Sequence, residues 1–454
     1  MQRSCHPGAA ARRCRRDAVS HPLDEIVAAN RRGEMCGIPS VCSAHPLVLE
    51  AAIERAQADA TPLLVEATCN QVNQQGGYTG MTPADLRDRV LALAARRGLP
   101  EAQLILGGDH LGPSPWQAES AEAAMAKAEA MVAAYAAAGF TKLHLDASMP
   151  CADDPPALDD ATVAARAARL ARAAEQAAGE RRDRLRYVIG TEVPVPGGAQ
   201  EHLDSLAVTG TDELQRTLET HRQVFAAHGL SEAWQRVRGV VVQPGVEFGH
   251  TEVIDFVPAA AAELSAAIHA WPNLVFEAHS TDYQTPRAYR ELVKGHFAIL
   301  KVGPALTFAL REALFALDHI ALEAPAVAWK TPLRETLEVA MRVEPRYWQA
   351  YYEGSADEQR FARRYSLSDR SRYYWAQPEV AAAVEALFDA LDAAAIPPTL
   401  ISQYLPQQYQ AIRRAELTAD ARALVRHHID RTLGAYAEAC VPPDLRIDGG
   451  YTAN

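Results

Sequence analysis

Short apolar runs, each ending in polar residues, alternate along this chain with longer stretches of helical period. The runs fall at Gly37–Cys42, Leu63–Ala67, Leu104–Gly108, Lys142–Asp146, Tyr187–Thr191, Val237–Gln243, Leu274–Ala278 and Ala298–Val302. Continuous apolar runs of this length suit strands buried on both faces. Helices are expected between them: one starting near Pro46, one from Thr82-Pro83, then Ala118–Ala138, Thr162–Ala178, Asp212–Ala227, Ala259–Ala270, Pro286–Lys294 and Pro304–Ala316. Proline at the first helical position supports the starts at Pro46 and Pro83. Eight consecutive strand–helix units fit a closed (β/α)8 barrel better than an open sheet, and no GxGxxG follows the first strand to favour dinucleotide binding. The barrel is expected over residues 21–320. Residues 321–439 read as a helical extension on the barrel or over its mouth.

Composition narrows the class. A net charge of −12 argues against a nucleic-acid partner or an anionic membrane surface. No apolar run approaches the ~20 residues that span a bilayer. The seven cysteines form no CxxC pair, which fits free thiols in a reducing, cytoplasmic setting. The Arg-rich residues 1–20 resemble a transit peptide in composition, but a disordered extension or a start placed too far upstream is favoured. Residues 440–454 read as a tail.

Barrel enzymes collect their chemistry at the C-terminal strand ends. Here nearly every such end carries polar residues, and buried carboxylates cost too much without partners to be there for packing. The third strand delivers Asp109 and His110 behind a glycine pair. The glycines permit a bend that brings both into one cavity, as a general base beside a metal ligand. The alternative is a helix-capping aspartate with a hydrogen-bonding histidine. His110, His250 and His279 stand at three strand ends and suit a Zn²⁺ with an open fourth position. Glu192 is a further catalytic or ligand candidate. His45 and His144 are weaker candidates, and His144, lying mid-strand, reads as a satisfied core residue.

The amide-rich loop Thr68–Gly80 offers Asn70, Asn73 and Gln74 to sugar hydroxyls. Asp146 ends the fourth strand. Ser280, Thr281, Asp282 and Gly303 occupy the place where barrels often bind phosphate, with Lys301 as a nearby cation. The run Tyr365–Trp375 mixes cations with aromatics and suits either a cap over the mouth that meets an anionic substrate or an interface.

Together these stretches resemble one family, the non-catalytic (GatZ/KbaZ-type) subunits of class II D-tagatose-1,6-bisphosphate aldolase. The resemblance is carried by Ser40–Pro46, Glu66–Asn73, Gly76–Pro83, Gly107–Pro113, His144–Ser148, Ile189–Gly198, Val242–Phe248, Glu277–Gln284 and Leu300–Phe308, with Tyr365–Trp375 and Ile401–Pro406 extending it. It covers roughly His21 to Ala439. It implies a barrel related to class II aldolases and a role in D-tagatose 6-phosphate, galactitol or N-acetylgalactosamine catabolism. It also implies an accessory subunit, oligomeric, that stabilises and activates a separate catalytic subunit. By the same resemblance Asp109 is the base, and His110, His250 and His279 are the zinc ligands. The chain departs from catalytic class II aldolases at Ser280–Tyr283 and Val302–Ala305, where those enzymes carry phosphate-binding segments, so bisphosphate binding is in doubt. A second function class stays open: a stand-alone metal-dependent enzyme of a ketose or ketose phosphate, such as a ketohexose 4-epimerase working by retro-aldol and aldol steps. A third is a scaffold that has lost its chemistry.

Overall fold

The computed structural model describes residues 21–191 and 206–441. The strands are β1 (Ile38–Cys42), β2 (Leu63–Thr68), β3 (Leu104–Leu111), β4 (Lys142–Leu145), β5 (Arg186–Ile189), β6 (Val237–Val242), β7 (Glu247–Phe248), β8 (Val253–Ile254), β9 (Val275–Ala278) and β10 (Phe297–Val302). Eight of them close a parallel barrel in the order β1-β10-β9-β6-β5-β4-β3-β2, while β7 and β8 pair as a small antiparallel ribbon. The expected (β/α)8 architecture is therefore the observed one.

Strand alternation layers the lumen, because side chains two apart point the same way. The helix Pro22–Arg31 inserts Leu23, Ile26 and Val27 into the N-terminal end, against Ile38, Leu64, Ile105, Val188, Val241, Val275 and Ile299. Burying an aliphatic side chain of this size stabilises by about 1.5–3 kcal/mol, so this plug seals that end firmly. Two residues further along the same strands stand Ser40, Glu66, Gly107, Glu277 and Lys301, with Lys142 beside Gly107 in register. Two further still come Asp109 and His279, with His144 on β4. The lumen thus passes from hydrocarbon to charge over two steps.

The helices surround this barrel. The expected helix over Ala259–Ala270 is shorter, an α-helix at Ala262–Ala267 followed by a 3-10 turn at Ile268–Ala270. The helix from Pro304 runs on to Glu323. Beyond it six more α-helices follow among the described residues, ending in Ala421–Cys440. That last helix is tied to the barrel shell by Arg55, which bonds Asp430 at 2.8 and 2.5 Å. Among the described residues no helix is long and apolar enough to cross a membrane.

Candidate active site

β3 brings two functional side chains to the same place by an unusual route. The strand continues past its glycines to Leu111, and its pairing with β4 breaks between Gly108 and Leu111. The bend lies at His110 itself, whose φ is +48°, a rare conformation for a residue other than glycine. The glycines serve packing instead. A Cβ on Gly107 would lie 2.4 Å from Glu66 Oε1, and one on Gly108 would lie 2.6 Å from Leu111.

The buried side chains above the apolar layer form one ionic network. Lys142 Nζ lies 2.7 Å from Glu66 and 2.6 Å from Glu277, all three fully buried. Lys301 Nζ contacts Glu66 and lies 2.9 Å from Asp109 Oδ2. Asp109 Oδ1 meets His144 Nδ1 at 2.9 Å, and Glu277 Oε1 meets His279 Nε2 at 3.0 Å. His110 Nδ1 is held by Asp146 at 2.9 Å, and Asp146 is fixed in turn by the Ser148 hydroxyl and amide.

Asp109, His144, Glu277 and His279 present donor atoms within 4.8 Å of one another, all buried. Their fit to a divalent cation rests on two further observations. His144 Nε2 is buried with no hydrogen-bond partner, while its Nδ1 lies 2.9 Å from Asp109 Oδ1 and 3.3 Å from the His110 amide, so a cation would give the orphaned Nε2 a partner. The network also holds more carboxylates (Glu66, Asp109, Asp146, Glu277) than ammonium groups (Lys142, Lys301), with His110 between Asp109 and Asp146, an acidic excess that a cation would offset.

Electrostatics keep the Asp109 and Glu277 carboxylates ionised despite burial. Burial pushes the Asp109 carboxyl up, but His110, Lys301 and His144 hold it well below the usual range. Burial likewise works against ionised Glu277, and Lys142 with His279 reverses it. His110 is raised, against desolvation, by Asp109 and Asp146. Burial lowers His279 to about 4. Burial also pushes the Cys42 thiol up to about 12, so it stays protonated.

Above the network lies a small cleft, walled by Asn70, His110, Ser280, Asp282 and Gly303 and roofed by Arg372 and Tyr373 from the C-terminal helices. The structure sorts the sequence-derived candidates. Asp109, His110, His279, Lys301, Asn70, Ser280, Asp282 and Gly303 all border it. His250 does not join the other imidazoles. Its ring nitrogens meet Ser366 Oγ at 3.0 Å and the Tyr351 carbonyl at 2.9 Å, because the chain after β6 turns out toward the extension. Thr281 is buried, and its hydroxyl donates to the Lys301 carbonyl. Asn73 and Gln74 hold their loop, donating to the carbonyls of Cys69 and Lys127. Asp146 acts on His110 rather than facing the cleft. Glu192 lies outside the described residues.

The sequence reading gave Glu66 and Glu277 no role beyond that of polar strand ends, ranked His144 a weaker candidate that reads as core, and passed over Lys142. The signal for them was strand alternation. Lys142 and His144 share a face of β4, and Glu277 shares one with His279 across β9 and its end, so each pair enters the lumen together.

Comparison with known proteins agrees with the sequence motifs. The family model of D-tagatose-1,6-bisphosphate aldolase subunits of the GatZ/KbaZ-like type matches residues 23–441. A crystal structure of a probable tagatose 6-phosphate kinase from Sinorhizobium meliloti 1021 is 53% identical, covers 89% of this chain and 100% of its own, and superposes with a TM-score of 0.83. The YdjI aldolase of Escherichia coli K12 (9% identity, 82% and 98% coverage, TM-score 0.40) and the fructose-bisphosphate aldolase of Campylobacter jejuni (14%, 84% and 96%, 0.42) are more distant. With nearly all of its described length matched, the chain belongs to the GatZ/KbaZ-like family of D-tagatose-1,6-bisphosphate aldolase subunits.

Proposed function

We propose that this chain is itself a divalent-metal-dependent ketose enzyme that breaks and remakes the C3–C4 bond, with C4 epimerisation as the net result. The observation that carries this reading is the buried group Asp109, His144, Glu277 and His279 beneath a roofed cleft. His144, His279 and Glu277 would hold the ion, with Asp109 beside them, and zinc suits such imidazole and carboxylate donors. When bound, the ion supplies Lewis-acid polarisation of the substrate carbonyl.

Asp109 accepts the proton of the C4 hydroxyl as the C3–C4 bond breaks. The bonding electron pair passes to the fragment carrying the ketone, as an enolate, and C4 becomes an aldehyde. His144 and Lys301 hold the two oxygens of Asp109, so the base is oriented before substrate arrives. Under the roof of Arg372 and Tyr373 the aldehyde fragment stays bound and offers its other face. C3 re-forms the bond, and Asp109 returns the proton to the new C4 oxygen. Asn70 and Ser280, on the cleft wall, suit the sugar hydroxyls.

The test is incubation of the purified, metal-loaded chain with free and 6-phosphorylated ketohexoses, with C4 epimers read by NMR. Asp109→Asn should lower turnover by about 10²- to 10⁴-fold, as loss of a general base does. Absence of any epimer or cleavage product across those substrates would reject the proposal. Family membership favours a second reading that is compatible with the first. In it the chain also stabilises and activates a class II catalytic subunit in galactitol or N-acetylgalactosamine catabolism. Co-expression with such a subunit, followed by size-exclusion analysis, decides that point.

A further inference from the structure

The cleft has a neighbour. On the far side of Gln71, Tyr78, Thr307 and Arg372, which line both, lies a second chamber between the barrel rim and the C-terminal helices. The carboxylates lining that chamber are already engaged: Glu50 pairs with Arg97 at 2.8 Å, and Glu385 with Arg422 at 2.6 Å. Two of its cations differ. Arg372 and Arg89 have no carboxylate within 4 Å among the described residues. Arg372 donates only to neutral acceptors, the carbonyls of Ser368 and Asp369 and the Tyr373 hydroxyl. A partly buried guanidinium held by neutral groups keeps its charge for a ligand, and its planar fork matches phosphate oxygens.

The opposite arrangement holds where a barrel phosphate was expected. The helix Pro304–Glu323 points its N-terminus at the cleft, but the amides of Gly303 and Ala305 donate to Asp282 Oδ1 at 3.0 and 2.8 Å. The protein's own carboxylate fills that anion position, and a phosphate there would meet a like charge.

Building on the ketose reading above, we infer that the substrate is a monophosphorylated ketose whose phosphate is bound by Arg372 at the junction of the two chambers, with Asp282 receiving the hydroxyl-bearing end. A bisphosphate then has no place for its second phosphate. Arg89, exposed on the chamber wall, adds long-range attraction.

Calorimetric titration of the full, zinc-loaded chain tests this with inorganic phosphate, a free ketohexose, its 6-phosphate and its 1,6-bisphosphate. The 6-phosphate should bind at least about tenfold tighter than the free sugar, the gain expected of charge-assisted hydrogen bonds, and the bisphosphate no tighter than the 6-phosphate. Arg372→Gln should abolish that preference, and Arg89→Ala should weaken it by about threefold, as for an exposed charge. If Arg372→Gln fails to fold, the wild-type preferences and Arg89→Ala still decide. Equal binding of free and phosphorylated sugar, tighter binding of the bisphosphate, or a preference untouched by the arginine substitutions would overturn the inference. Binding is read without turnover. A chain that binds phosphate through Arg372 yet converts no ketose refutes the enzymatic reading alone, and one that epimerises free ketoses without phosphate preference refutes only this inference.

Discussion

Gly107 and His110 divide the work of shaping the third strand. Gly107 leaves the room that Glu66 fills, and the left-handed backbone at His110 turns its ring toward Asp146. Gly107→Ala should therefore push Glu66 off Lys142 and Lys301 and cost about 1–3 kcal/mol, as overpacking does in a filled interior. Urea denaturation measures it, and an unchanged midpoint would show that the Glu66 network gives way freely. Lys142→Met is the sharper case. It leaves Glu66 and Glu277 buried with one cation fewer, and breaking a buried pair from one side costs about 3–5 kcal/mol. The sequence made Asp109, His110 and His279 legible because each ends a strand in an otherwise apolar setting. It hid His144 and Lys142 because a polar residue inside an apolar strand reads equally as a satisfied core group, and only the closed barrel makes its lumen face a site.

At the scale of elements, the eight strands were legible from their apolar runs, and their alternation set the lumen layers. The C-terminal helices were legible as helices, and the run Tyr365–Trp375 as either a cap over the mouth or an interface; Arg372 and Tyr373 of that run line the cleft, a choice that nothing local in the sequence makes. His250 failed for a related reason. It follows β6 in sequence, yet the ribbon β7–β8 carries the chain outward, and the imidazole packs between Ser366 and Tyr351. The helix Pro304–Glu323 gives a test at this scale. Asp282→Ala should strand two amides at its N-terminus and lower stability by about 1–3 kcal/mol, whereas Asp282→Asn keeps an acceptor and should lose less. Equal losses for the two variants, read by thermal melting, would show that the capping bonds carry little weight.

For the whole molecule, several histidines outside the cleft are neutral because they are buried. His21, His221 and His296 are each lowered from 6.5 to about 4, desolvation being the main cause. His21 caps the helix Pro22–Arg31 by accepting from the Leu23 amide, which a doubly protonated ring cannot do. Between pH 4 and 6.5 the unfolded chain binds more protons at these sites than the folded one, so stability rises with pH across that window. The melting temperature of metal-free protein should fall steadily as pH drops from 6.5 to 4, and a flat profile would contradict the buried, neutral assignment. Metal binding acts on the same balance from the other side, since an ion held only by the folded barrel raises its melting temperature.

The most direct test of the account is metal content. After loading with Zn²⁺ and dialysis, the wild-type chain should retain about one ion by elemental analysis, as a buried imidazole and carboxylate site does. His144→Ala should retain none, while His250→Ala retains the wild-type amount. A wild-type chain that holds no ion, or a His144→Ala chain that holds it undiminished, would contradict the assignment of this buried cluster as a metal-dependent active site.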